Sequence, residues 1–271
     1  EHPMIMRSLI GVLTLAATLA TATAASAHDE SKYPDWSGQW RWNQMGGGPR
    51  YDPSKPAGAA QQAPLKEEFS RIHKESMADQ ATGGAGLYVQ STKCIPMGMP
   101  FQMSIVPFPL EFIITAKTTF ILFEVMTSQP RRIYTDGRKH PAAEDLWPTY
   151  SGSSVGHWEG DTLVFTTISL KGFSGKDVIV DRTGRVLSDA SRVTTRMRTI
   201  DEGKTMEARM VIEDPKALTA PWTVVKRYTK QPTGTWGWDY SCAENNRNPI
   251  SNSGRTLTLG PDGKPIDKVK D

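Results

Sequence analysis

The chain has 271 residues, 32 basic and 29 acidic side chains, and a formal charge of +3. So small a charge, with no Lys/Arg block, speaks against a nucleic-acid partner. The length suffices for one sizeable core, and all-β chains of this size are often single domains.

Met4 to Ala27 reads as a secretory signal peptide. Arg7 gives a positive start, Leu9 to Ala20 an apolar run, and Ala25-Ser26-Ala27 a small-x-small cleavage site. The run is too short to span a bilayer, which takes ~20 residues. The expected mature chain begins at His28, lies in the periplasm or outside the cell, and has no membrane span. Residues 28–251 are expected to form one domain and 252–271 a polar, mobile tail. In an oxidising compartment Cys94 and Cys242 would pair as a disulfide.

Trp36, Trp40 and Trp42 open the domain as a strand with alternating aromatics. Residues 45–63 read as a loop rich in Gly, Pro and Ala. Pro64 to Met77 is the one good helix, with Glu67 and Glu68 at its positive end and Leu65, Phe69 and Ile72 as its apolar stripe. Strands follow at 112–115, 118–126 and 131–135. A hairpin is expected at 155–158 and 162–168 around Glu159-Gly160-Asp161, and another at 192–200 and 205–212 around Asp201-Glu202-Gly203-Lys204. In this second pair Val193, Thr195 and Met197 share one face, and Arg192, Arg196 and Arg198 the other. Residues 222–228 and 236–242 complete the strands.

Strands joined by short turns, with no helices between them, form a meander, and closure removes its edges. The expectation is an all-β antiparallel meander closed into a lipocalin-like barrel, with a sandwich as the alternative and the single N-terminal helix across one mouth. Gly38-Gln39-Trp40 resembles the Gly-x-Trp start of lipocalin- and avidin-type barrels. Residues 94–100 (CIPMGMP), 131–141 (RRIYTDGRKHP) and 156–164 (GHWEGDTLV) together resemble a group of secreted bacterial proteins of uncharacterised activity. The resemblance runs from Trp36 to Asn245 and implies export and a shared fold, without a reaction or catalytic residues.

The densest polar stretch is Arg131 to Asp161. Arg132, Tyr134 and Asp136 alternate, so a strand would aim them at one face, where arginine can hold a carboxylate or polarise a carbonyl. His140 and His157 are candidate general bases, with Tyr134 and Asp136 beside them. Arg138, Tyr150 and Trp158 are candidate ligand contacts, as are Glu111 and Glu124, two carboxylates set in apolar strands. The structural alternative is that these are turn residues and solvated surface charges.

The sequence lacks the usual zinc-hydrolase and nucleophile-elbow motifs. An amino-terminal His28 can chelate Cu(II), and Met97, Met99 and Met103 suit Cu(I). No cofactor is fixed by these patterns. The leading expectation is an exported protein binding a small, partly apolar molecule in the barrel. The alternatives are cofactor-independent acid–base catalysis (a lyase, isomerase or hydrolase) in the same cavity, and copper handling.

Overall fold

The computed structural model describes residues 30–42, 51–56, 58–82, 96–104, 108–124, 130–171, 180–181, 183–237, 262 and 264. The signal segment, His28, Cys94 and Cys242, and the strand expected at 238–242 lie outside them. The chain divides into two compact units. Among the described residues the first contributes one turn of 3-10 helix, Glu30–Lys32. The second, Tyr33–Asp271, carries the sheet.

That sheet is a closed barrel of nine strands in chain order. The strands are β1 (Gln39–Trp42), β2 (Leu110–Ile114), β3 (Thr118–Phe123), β4 (Arg131–Tyr134), β5 (Ser153–Glu159), β6 (Thr162–Ile168), β7 (Arg192–Ile200), β8 (Thr205–Glu213) and β9 (Trp222–Lys230). Closure comes from β1 pairing with β9, Trp40 opposite Lys230 and Trp42 opposite Tyr228. An odd number of strands cannot alternate in direction around a ring, so one neighbouring pair must run parallel. That pair is β4–β5, joined at Tyr134 and Val155. A parallel step needs a long connection, and residues 135–152 supply it.

The paired registers fix which side chains point inward. On β7 and β8, Val193, Thr195 and Met197 oppose Ile212, Met210 and Ala208, and all six are buried. Arg192, Arg196 and Arg198 lie on the exposed face, as the alternation predicts. The β5–β6 hairpin turns at Gly160, whose φ of 58° costs a glycine little. Ile121, Ile133, Leu163, Phe165, Met197, Met206, Ala208 and Met210 are almost wholly buried.

Both ends are covered. At one, the indole of Trp36 packs on Trp158, ring centres 4.9 Å apart, and on Phe112 at 5.1 Å. The Trp40 indole N–H holds that segment by donating to the Trp36 carbonyl at 3.0 Å. At the other, buried Met97, Met99, Phe101 and Met103 form a plug. The Tyr228 hydroxyl donates to the Met103 carbonyl at 2.5 Å, and the Met99 amide to the Tyr150 carbonyl at 2.8 Å.

The helix, α1, spans Glu67–Ala81, starting later than its sequence suggests. Leu65 forms a β-bridge with Leu218, and the Lys66 amide donates to Ala217. The tertiary contact takes the residues that the helix-start pattern assigned to the first turn. Phe69 and Ile72 are buried, as the stripe requires. Trp36 lies outside β1, and β2 begins at Leu110, two residues before its expected start. Among the described residues no helix is long and apolar enough to cross a membrane.

Candidate functional site

Ile133 decides the direction of β4. This apolar residue is fully buried, so Arg131, two residues earlier, also enters the barrel, and Arg132 faces out. Arg131 is 1 % exposed. Its guanidinium donates to Thr167 Oγ1 at 2.8 Å and Ser154 Oγ at 3.4 Å, and lies 4.9 Å from the Phe165 ring centre. A further contact is weak, 3.7 Å to the Met103 sulfur, and its Nε has no partner among the described residues. Burial pushes its pKa down to about 9.

The other residues that the sequence points to are dispersed. Arg132 is exposed, 5.9 Å from the Phe120 ring centre. Asp136 and Arg138 form an exposed bidentate pair, with Arg138 4.0 Å from the Tyr134 ring centre. Those hydrogen bonds hold the Asp136 carboxyl below its ordinary range. His157 is exposed and meets Glu159 at 3.0 Å, and Arg196 takes the other oxygen of that carboxylate at 2.7 Å. Trp158 packs among the end-cap aromatics, and Tyr150 lies under the Lys171 amine.

His140 is half-buried, and its Nδ1 lies 3.1 Å from Ser153 Oγ while Nε2 has no partner among the described residues. Burial, with help from Arg192, lowers its pKa, so the ring is neutral at neutral pH. Glu111 accepts from the Gln39 amide at 2.8 Å. Met97, Met99 and Met103 are part of the plug. Among the described residues no three of His, Cys, Asp and Glu gather as a metal site.

Where β2 starts and β3 ends, a narrow recess of about 10 Å³ lies between Phe108, Pro109, Leu110 and Phe123. Gln102, Glu124 and Tyr228 bring polar groups to it. Burial lifts the Glu124 carboxyl above its ordinary range, opposed by Arg41 and reinforced by Glu111. Glu124 is the one sequence-derived candidate that lines this recess.

A second polar cluster escapes sequence reasoning altogether. The Tyr51 hydroxyl donates to Asp181 at 2.6 Å, and Arg185 reaches the same carboxylate at 2.7 Å. Arg185 also meets the Tyr51 hydroxyl and the Gln62 amide oxygen. Thr183 donates to the other Asp181 oxygen at 2.5 Å and lies 2.9 Å from His73 Nε2. Burial alone would lift the Asp181 carboxyl, but Arg185, Thr183 and Tyr51 outweigh it and keep it ionised. Burial and then Asp181 push the Tyr51 phenol up. Beside this cluster the Lys226 amine lies 4.3 Å from the Trp42 ring centre and 5.7 Å from that of Tyr51. Hydrogen-bonded members of the cluster stand up to 134 positions apart, and no local spacing announces them.

Comparison with protein-family models, with curated proteins and with solved structures gives no match.

Proposed function

We propose that this is an exported binding protein, of the same family as the secreted bacterial proteins whose motifs it resembles, and that it takes a small, partly apolar molecule at the barrel mouth. The recess carries this reading. Four apolar side chains line it, with an amide, a carboxyl and a phenol to orient a guest, the usual composition of a ligand site. Its free volume, about 10 Å³, is that of roughly one water and far below the ~300 Å³ at which larger ligand pockets begin. A guest therefore has to displace the lining side chains to enter, and has to be small. The Glu124 carboxyl, whose pKa burial raises, offers its oxygens to the guest.

The test is native mass spectrometry of protein recovered from the periplasm, followed by calorimetry with whatever small molecule co-purifies. Glu124→Gln should change affinity about tenfold, and Leu110→Trp should fill the recess and abolish binding. Equal affinity in wild type and both variants would remove the recess from the reading.

One observation favours acid–base chemistry as a second reading: a neutral His140 ring against the Ser153 hydroxyl. Ester hydrolysis lost in both Ser153→Ala and His140→Ala would support it. Hydrolysis equal to wild type in both would dismiss it.

A further inference from the structure

The β9 lysine has no evident structural reason to be a lysine. Lys226 opposes Ala208 on the inward face, between Val224 and Tyr228, and is 5 % exposed. Its ammonium rests on the Trp42 ring and has no hydrogen-bond acceptor among the described residues. The Trp42 indole N–H is buried and has no acceptor among the described residues. Two strong donors at one aromatic ring thus lack an acceptor among the described residues, and the indole N–H is the fully enclosed one. A buried donor left unpaired costs free energy, and an unpaired buried charge costs more.

The local charges point the same way. Arg185 and Lys226 are cations, and Asp181 is the carboxylate between them in the Tyr51 cluster. Asp181 is already shared among Arg185, Tyr51 and Thr183. Asp52 is paired with Lys55 at 3.4 Å. His73 is kept neutral by burial and by Arg185, and the Tyr51 phenol keeps its proton. The described groups therefore leave one positive charge over. The aromatic neighbours of the ammonium are Trp42 and Tyr51, and Trp222 packs on Tyr51, ring centres 4.5 Å apart.

We propose that Lys226 and Trp42 form an oxyanion site for the carboxylate of a small molecule with a flat apolar body, separate from the Glu124 recess. The ammonium and the indole N–H would each donate to the carboxylate, and the aromatic walls would hold the body. Burial lowers the lysine to about pKa 8, with Asp181 opposing. Binding requires the protonated amine, so affinity is level below pH 8 and falls about tenfold per pH unit above it.

The probes are benzoate and inorganic phosphate, titrated calorimetrically into the full chain. Benzoate binding that drops at least tenfold in Lys226→Met, severalfold in Trp42→Phe, and with rising pH is the expected result. Binding of phosphate in place of benzoate, with the same dependence on Lys226, keeps the oxyanion site and overturns the carboxylate assignment. No binding of either anion, or binding indifferent to Lys226→Met and to pH, overturns the site. Arg138→Ala, which breaks only the exposed pair with Asp136, should leave benzoate affinity unchanged.

Discussion

Arg131→Met tests whether the barrel interior holds an uncompensated cation. The guanidinium is buried with two hydroxyls, a thioether and a phenyl ring, and no carboxylate among the described residues reaches it. Its pKa falls from its ordinary value above 12 to about 9. Three powers of ten in that equilibrium represent a penalty on the order of 4 kcal/mol for the charged form. Substitution forfeits two hydrogen bonds, at about 1 kcal/mol each. It leaves a small volume deficit of about 1 kcal/mol. Ser154 and Thr167 remain bonded to one another at 2.9 Å, so neither hydroxyl is orphaned. The expected net effect is a gain of about 1 kcal/mol, or roughly 2–4 °C in Tm. The wild type should also show an alkaline signature. Below pH 9 both states carry the charge and the penalty is complete. Above pH 9 the folded chain releases the proton while the unfolded chain keeps it, so stability rises with pH. Urea denaturation of both proteins at pH 7 and pH 10 measures both effects. A loss of more than 2 kcal/mol in Arg131→Met, with no alkaline rise in the wild type, would refute the reasoning and mean that the guanidinium has an anionic partner.

Further outcomes follow from single contacts. Gly156→Ala places a methyl against the Val164 carbonyl and 2.5 Å from Phe165 Cβ, so thermal denaturation should show a loss of at least about 2 kcal/mol. Tyr51→Phe removes the hydroxyl that donates to Asp181 and should cost about 1–3 kcal/mol, read by the same assay. Arg138→Ala breaks only an exposed pair with Asp136 and should leave Tm within error. Thiol titration of denatured, unreduced protein should find no free thiol if Cys94 and Cys242 are paired, and two if they are not.

The sequence by itself determined what depends on near neighbours. Alternation along 192–200 and 205–212 assigned both faces of β7 and β8, because side chains on a pleated strand switch sides at every residue. Glu159-Gly160-Asp161 located a hairpin, because the turn needs a positive φ that Gly160 supplies. The apolar stripe of α1 and the closing of a helix-free meander into a barrel were legible for the same reason. The direction of β4 was also within reach: Ile133, lying between Arg132 and Tyr134, must be buried, and so carries Arg131 inward instead of the Arg132–Tyr134–Asp136 face. Local density of polar residues pointed to the outer face, because charge clusters equally well on a solvated surface.

Tertiary structure alone decided the rest. The parallel β4–β5 step follows from closing a ring of nine strands, a count that no segment contains. Leu65 left the helix because Leu218 was there to pair with it. Gln102, Phe123, Glu124 and Tyr228 meet at the recess, and Tyr51, Asp181, Arg185 and Lys226 at the second cluster, through strand register and loop packing. There Arg185, Thr183 and Tyr51 keep Asp181 ionised against its burial, and burial lowers the pKa of Lys226. Desolvation is a property of everything packed around a group, so it cannot be read from the residues on either side of it.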